Sequence, residues 1–156
     1  MILFHGSDVA VKKVILQQCR PYKDFGRGFY LTPIKSHADK MAARTALRNG
    51  SSPIVSRFSF DQDQAVKCGL KIKIFETESN EWAEFIYRNR EDRDFSHEYD
   101  IVMGPIADDG LRFRFNQYKK GIISVTDLIK GLKFKERTFQ YCFLSEASLK
   151  FLVPYE

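Results

Sequence analysis

The amino-acid sequence predicts an α+β domain. Short segments rich in β-branched and aromatic residues lie near both ends of the chain, and segments with apolar residues at helical spacing lie between them. The 156 residues suffice for one domain with a substantial core, and 44% apolar and 14% aromatic content is typical of a globular protein. We therefore expect residues 1–156 to form a single α+β domain whose terminal strands share a sheet.

The first part of the chain is predicted to contain three strands and a helix. Residues 2–4 are an apolar segment. Residues 28–32 begin at a glycine and end at a threonine that a proline follows, so both segments are predicted strands. Residues 35–49 carry apolar residues at helical spacing, and Gly50 is well placed to end that helix. Residues 54–60 are rich in β-branched and aromatic residues, which predicts a strand.

The second part alternates strands and helices. Strands are predicted at residues 70–75, 99–103 and 139–144, and helices at residues 79–87, 108–119, 124–132 and, as a closing turn, 145–151. Trp82, Phe85 and Ile86 form one apolar face of the first of these helices. Residues 89–97 carry charges of both signs and are predicted to be a solvated loop.

Charge and composition limit the classes of function. The chain has 25 basic and 20 acidic residues, but the basic ones are scattered and form no run typical of a nucleic-acid-binding arm. A solvated basic surface and a surface for an anionic partner both remain possible. No apolar run approaches the roughly 18 residues of a membrane helix, and the pattern of a secretory leader is missing. We expect a cytoplasmic protein that does not enter the membrane.

Cysteine and histidine positions argue against a metal site or a disulfide frame. Cys19, Cys68 and Cys142 are odd in number and widely spaced, which favours free thiols in a reducing compartment. The three histidines show none of the close spacings typical of zinc ligands. No metal is therefore expected.

Two segments near the start of the chain suggest a binding site. The first strand leads into His5-Gly6-Ser7, and about twenty residues later Gly26-Arg27-Gly28 leads into Phe29-Tyr30-Leu31. A histidine can hydrogen-bond a sugar hydroxyl, and a glycine lets the backbone approach a planar amide closely. A tyrosine ring can stack on a flat ligand.

Together the two segments resemble the nicotinamide site of the ADP-ribosyltransferase superfamily, in its diphtheria-toxin-like and poly(ADP-ribose) polymerase branch, which has a His-Tyr-Glu signature. Its polymerases read His-Gly-Ser and Gly-Lys-Gly-Ile-Tyr-Phe-Ala at these places. More closely, nearly the whole chain, including Gly104-Pro105-Ile106-Ala107-Asp108-Asp109, resembles a bacterial domain family of unassigned function within that superfamily. The resemblance implies an ADP-ribosyltransferase-like fold, with split mixed and antiparallel β-sheets flanked by short helices.

The resemblance also implies roles for the matching residues. His5 matches the histidine that binds the ribose of NAD, and Gly6 matches the backbone clamp on the nicotinamide amide. Ser7 supplies the hydroxyl beside them. Tyr30 matches the stacking tyrosine, with Gly28 in its glycine frame.

The glutamate of the signature is replaced in this chain. The matching strand reads Phe139-Gln140-Tyr141-Cys142-Phe143, so Gln140 stands where the family has its catalytic glutamate. A glutamine oxygen can still accept a hydrogen bond from a ribose hydroxyl, but it carries no charge to oppose an oxocarbenium ion. Losing one such electrostatic group lowers the rate on the order of 10²-fold. The predicted catalytic residues are His5, Tyr30 and Gln140.

Other positions near the predicted site either differ from the family pattern or have two possible roles. Met41 and Ala38 fall where the polymerases place a second stacking tyrosine and an amide-binding serine, so Met41 is expected to offer an apolar contact. Arg20 and Arg27 could meet the NAD pyrophosphate or be solvated. Asp108-Asp109 could serve the acceptor substrate or cap the following helix.

These features predict a mono-ADP-ribosyltransferase, an enzyme of the glycosyltransferase class that uses NAD to modify an unidentified protein, nucleic acid or small molecule. The resemblance also suggests a bacterial toxin that a small antitoxin protein neutralises. Elongation of poly(ADP-ribose), which leans on the missing glutamate, is not expected. Two alternatives stay open: a weak or inactive module that binds NAD or ADP-ribose, which Gln140 favours, and an NAD glycohydrolase.

Overall fold

A computed structural model describes residues 1–107, 111–132 and 138–155 of the chain. Within these ranges the strands are β1 (Ile2–Ser7), β2 (Phe29–Leu31), β3 (Ile54–Phe60), β4 (Ile72–Ile74), β5 (Ile101–Gly104), β6 (Gln140–Phe143) and β7 (Leu152–Pro154). The helices are α1 (Lys35–Asn49), α2 (Gln62–Lys67), α3 (Asn80–Glu91), α4 (Leu111–Lys119), α5 (Val125–Leu132) and α6 (Glu146–Leu149), with a 3-10 turn at Leu16–Gln18. The chain is of the α+β class, as predicted.

The strands form two sheets, and backbone hydrogen bonds join one sheet to the other at a single bridge among the described residues. The first has the order β1-β3-β7 and is antiparallel throughout, and the second has the order β2-β6-β5-β4, in which only the β4–β5 pair is parallel. Phe4 of β1 and Thr32, just after β2, exchange two backbone hydrogen bonds of 2.8 and 2.9 Å. This contact brings the two motif-bearing strands side by side.

Each face of the second sheet covers a separate core, because side chains alternate along its strands. Ile101, Met103 and Phe143 face the first sheet and pack with Leu3 and Phe58. The opposite face packs on the helices in a second core built from Phe25, Phe75, Trp82, Ile86, Val102, Phe115, Leu128 and Cys142. Gln140 and Cys142 alternate with Phe143 on β6, so both belong to this helix-covered face.

Several predicted elements are confirmed. The helix over residues 35–49 and the strand over residues 54–60 have the predicted bounds, and Gly50 ends α1 in the left-handed conformation, with φ 65°. The helix predicted over residues 124–132 is also present as α5, and Ser124 caps it by accepting a hydrogen bond from the backbone N–H of Asp127, at 3.2 Å. Capping and periodicity are local signals, which is why they could be read directly from the sequence.

Other elements differ from the prediction. β1 extends to Ser7, so His5 lies inside a strand and not after it. α3 runs to Glu91, into the predicted loop over residues 89–97, because Asn89 is buried and its side chain donates to the Phe85 carbonyl. α2 was not predicted, although its cap Asp61, which accepts from the Gln64 N–H, gave a local signal.

We predicted that the strand over residues 139–144, as the last strand, would share a sheet with the first strand, and this was wrong. β6, predicted as the last strand, joins β2 and β5 in the second sheet. The strand that joins the sheet of β1 is β7, which lies within and beyond the predicted closing turn over residues 145–151. No helix of the described residues is long and apolar enough to cross a membrane.

Candidate functional site

A cavity of about 990 Å³ lies beside the β1–β2 contact, and residues from both strands, from α1 and from the segment after β1 line it. Its wall contains all the predicted site residues except Arg27: His5, Gly6, Ser7, Arg20, Gly28, Tyr30, Met41 and Gln140. The two motifs and the distant Gln140 therefore come together on the wall of one cavity.

Gly6 allows α1 to lie directly against β1. A Cβ atom at this position would be 2.0 Å from the backbone oxygen of Ala38 and 2.8 Å from the backbone nitrogen of Ala42. Real Cβ atoms do not approach backbone atoms so closely, so any larger residue would have to push the helix away from the strand. Gly6 thus has a structural role besides any role in binding.

The backbone of Gly6 also presents two polar groups to the cavity side of β1. In an antiparallel strand the N–H and C=O of one residue point to the same side, and the side alternates from residue to residue. Those of Phe4 point away from β3 and bond to Thr32, so those of Gly6 point the same way. Neither has a partner among the described residues. One free donor beside one free acceptor matches the two polar groups of a carboxamide.

His5 is held in one orientation and one tautomer. Its Nδ1 lies 2.8 Å from the carbonyl oxygen of Tyr30, and its ring lies 4.3 Å from that of Phe29. Because a carbonyl only accepts, Nδ1 carries the proton and Nε2 is left as an acceptor. Burial lowers the pKa of His5; the bond to Tyr30 opposes that shift and the nearby Lys23 adds to it. The imidazole is therefore a neutral hydrogen-bond acceptor at Nε2.

Tyr30 is fixed by its hydroxyl, which is bonded on both sides. The hydroxyl donates to the Gly26 carbonyl at 2.8 Å and accepts from the Phe25 N–H at 2.9 Å. Burial is the main reason that the pKa of Tyr30 is raised well above its usual value, so the phenol stays neutral. The hydroxyl is used up in this turn, so Tyr30 offers the cavity its ring as a surface and does not serve as an acid or base.

Gln140 is held by its amide nitrogen. Nε2 donates to Oδ2 of Asp24 at 3.1 Å and to the Pro105 carbonyl at 3.5 Å. Gln140 is buried except where it lines the cavity, and its Oε1 has no partner among the described residues. The oxygen is therefore the atom of the amide that remains for a ligand.

Behind Gln140 lies an ion pair between the buried Asp24 and the partly exposed Arg90, which no sequence motif indicated. Asp24 is buried, and its Oδ1 accepts a hydrogen bond of 2.6 Å from Nε of Arg90 on α3 and also pairs with a terminal guanidinium nitrogen. Asp24, Arg90 and Gln140 thus form a connected row that ends at the cavity. The three lie far apart in sequence, and no local pattern singles out Asp24, so only the folded chain reveals it.

The remaining glycine and small-residue positions are mainly structural. A Cβ at Gly28 would lie 2.5 Å from Sγ of Cys142 and 2.6 Å from the Phe143 carbonyl oxygen, so Gly28 permits the close pairing of β2 with β6. Ala38 is buried beneath Gly6 and leaves no side chain for a ligand. Met41, in contrast, is 50% exposed on the wall, where it can make an apolar contact.

Of the two arginines predicted to bind the pyrophosphate, Arg20 and Arg27, only Arg20 lines the cavity. Arg20 is exposed on the cavity wall. Arg27 lies outside the wall and donates from Nη1 to the Gln17 carbonyl at 3.2 Å, so its position gives the prediction no support. Ser7 lines the cavity, and its hydroxyl lies 3.4 Å from Oδ1 of Asp8. The predicted acceptor-side pair Asp108-Asp109 falls outside the described residues.

The cavity lies within a recognised family domain. Residues 1–153 match the family model described as a protein of unknown function (DUF3990). The chain belongs to this family. No curated protein and no solved structure matches it. Since the match spans both motifs and Gln140, every residue of the site of this DUF3990 chain named above lies in the matched domain.

Proposed function

We propose that this DUF3990 chain is a mono-ADP-ribosyltransferase that binds NAD in the cavity. One observation carries the proposal: five groups suited to nicotinamide riboside, from four residues, line the same cavity. They are the unpaired backbone N–H and C=O of Gly6, the fixed ring of Tyr30, the acceptor Nε2 of His5 and the acceptor Oε1 of Gln140. The proposal includes an ADP-ribosyltransferase-like fold, with which one antiparallel and one mixed sheet agree.

Each part of the substrate has a chemically matched partner. The carboxamide would bond to the backbone of Gly6, and the pyridinium ring would stack on Tyr30. His5 and Gln140 would each accept a hydrogen bond from a ribose hydroxyl. The exposed cation Arg20 on the same wall would bind the pyrophosphate, since guanidinium groups pair well with phosphate oxygens.

The reaction breaks the bond between nicotinamide and C1′ of the ribose. The nicotinamide nitrogen leaves with the electron pair, the sugar passes through an oxocarbenium-like state, and the acceptor nucleophile forms the new bond to C1′ and releases its proton to water. Gln140 has no charge of its own, but Asp24 lies 3.1 Å from its amide nitrogen. We propose that Asp24 polarises this amide, so that Oε1 opposes the developing positive charge more strongly than an isolated glutamine would.

Transfer of label tests this function. Purified protein is incubated with NAD labelled in the adenylate half and with bacterial lysate, and label in macromolecules is counted. Tyr30→Ala removes the ring and should lower transfer by about 10²-fold or more. Tyr30→Phe keeps the ring and loses only the hydroxyl, so at a temperature where it is folded it should keep transfer within about five-fold.

His5→Ala should also lower transfer strongly, because a ribose acceptor is lost. Undiminished labelling in both His5→Ala and Tyr30→Ala, with folding verified by circular dichroism, would show that the cavity is not the transferase site. The toxin role rests on the family resemblance alone, and the cytoplasmic location belongs to the same proposal. Growth arrest that depends on Tyr30 when the chain is expressed in bacteria would support the toxin role.

A second candidate is a module that binds NAD or ADP-ribose without turnover. The observation that favours it is the neutral Gln140 at the position where the resemblance expects a glutamate. Calorimetry with NAD, together with an assay for free nicotinamide, separates the two functions. Binding without nicotinamide release supports the module, whereas release without labelled acceptor identifies an NAD glycohydrolase.

A further inference from the structure

The cavity wall is strongly basic. Seven of its described residues are Lys or Arg and one, Asp8, is acidic, although the whole chain has 25 basic and 20 acidic residues. The carboxylate of Asp8 is hydrogen-bonded to the neutral side chains of Asn49 and Ser51, at 2.8 and 2.9 Å. Folding therefore gathers basic residues that are scattered in the sequence onto the wall of one site.

Most of these cations have no counter-ion in the described part of the chain. Six are exposed and form no salt bridge with a described carboxylate: Lys12, Lys13, Arg20, Lys23, Lys40 and Arg48. Three lysines outside the wall do pair with carboxylates: Lys35 with Asp39, Lys71 with Glu98 and Lys73 with Glu81. A concave wall of unneutralised cations raises the local concentration of anionic ligands.

The number and arrangement of the cations exceed what NAD requires. NAD has a single pyrophosphate, which a pair of cations can bind. On α1, the exposed Lys40 and Arg48, neither of which forms a salt bridge with a described carboxylate, stand eight residues apart and form a row on one side of the helix, about 12 Å apart along its axis. Such a row suits a ligand that carries several phosphates in succession.

Apolar side chains lie among these cations. Val9, Ile15 and Met41 line the same wall and are 58%, 43% and 50% exposed. A basic groove can follow the charged backbone of a single strand, and exposed apolar side chains can contact the flat faces of its bases. The concave shape admits a single strand more readily than a folded protein surface or a duplex, whose bases are stacked inside.

We propose that the acceptor is a single-stranded nucleic acid, whose phosphates lie along the row on α1 and whose nucleophile enters beside His5 and Gln140. The inference deepens the proposed transferase function and rests on it. A nitrogen or oxygen of the nucleic acid forms the new bond to C1′ as nicotinamide leaves with the electron pair, and the acceptor's proton passes to water. RNA and DNA share the required backbone chemistry.

Fluorescence anisotropy tests the binding step without NAD. The probes are labelled single-stranded RNA and DNA of one sequence, and the corresponding duplex. Lys40→Glu/Arg48→Glu should weaken single-strand binding by about ten-fold or more. The negative slope of log K against log[salt] should become shallower by about 0.7 for each phosphate contact that is lost. The matched control Lys67→Glu/Lys120→Glu changes the charge equally at exposed sites outside the cavity and should stay within about two-fold.

No saturable single-strand binding by the wild-type protein at low salt would overturn the inference. The inference would also be overturned if both double variants lost single-strand affinity equally, or if the duplex bound more tightly than either single strand. The RNA and DNA arms identify which nucleic acid binds better. Circular dichroism on both double variants ensures that a loss of binding is not a loss of fold.

The transfer assay then separates this inference from the function beneath it. After incubation with labelled NAD and lysate, label that nuclease removes and protease does not supports a nucleic-acid acceptor. Label that protease removes overturns the inference while the transferase function stands. Single-strand binding without nicotinamide release or transfer overturns the transferase function, and with it the acceptor role, although the binding site itself is then established.

Discussion

Replacing Gln140 by glutamate is the sharpest test of the site, because it restores the side chain that the resemblance expects and places it against Asp24. In the folded chain the Gln140 amide nitrogen lies 3.1 Å from the Asp24 carboxylate. In Gln140→Glu an oxygen takes the place of that nitrogen. Two unit negative charges at this separation repel by about 5 kcal/mol at an effective dielectric constant of about 20. Arg90 reduces the repulsion without removing it, since it bonds to the other oxygen of Asp24.

The pair should therefore keep one proton at neutral pH, and the variant's stability should fall as pH rises. The folded variant binds a proton that the unfolded chain releases above the usual glutamate pKa of about 4.3, so unfolding becomes easier with increasing pH. The loss relative to wild type grows by about 1.4 kcal/mol per pH unit and reaches about 3.5 kcal/mol near pH 7. Near the usual glutamate pKa the protonated carboxyl can donate to Asp24 as the amide does, and the variant should match wild type.

Urea denaturation across this pH range measures the effect, and a charge exchange provides the control. In Asp24→Asn/Gln140→Glu the new amide can donate to the new carboxylate, so most of the pH-dependent loss should disappear. The single variant should gain little NAD cleavage at neutral pH, whereas the exchanged pair has its charge beside the ribose and should gain about ten-fold or more. Parallel stability profiles for Gln140→Glu and wild type would refute the contact between residues 24 and 140.

Two further predictions concern the first strand. Gly6→Ala would place a methyl group 2.0 Å from the Ala38 oxygen, so the free energy of unfolding should fall by about 3 kcal/mol, whereas a loss under about 0.5 kcal/mol would contradict the close approach of α1. Burial lowers the pKa of His5, so the folded chain resists a proton that the unfolded chain accepts, and stability is lost as pH falls below about 6.5. His5→Gln should reduce the dependence of the free energy of unfolding on pH in this range. Burial also lowers the pKa of His97, which should account for part of the remaining pH dependence. An unchanged pH dependence in His5→Gln would show that His5 is not buried from solvent.

The outcome for individual elements follows how local their signals are. α1 could be predicted residue by residue, because apolar periodicity and a C-terminal glycine are contained in its own segment. β7 could not, because residues 152–154 are too few for a period and become a strand only by pairing with β3. α3 runs past its predicted end for a similar reason: burial of Asn89 and its bond to the Phe85 carbonyl outweigh the charged composition of the following residues.

The sequence by itself determined which residue types lie at the site: the order His5-Gly6-Ser7, then Gly28-Phe29-Tyr30, then Gln140. Only the tertiary structure decided what those residues can do. It frees the backbone of Gly6 beside the cavity, uses the Tyr30 hydroxyl in a turn and sets Asp24 behind Gln140. It also turns scattered basic residues into one charged wall. The physical reason is range: hydrogen bonds and charges act across a few ångströms of space, and the partners here are brought that close only when the chain folds.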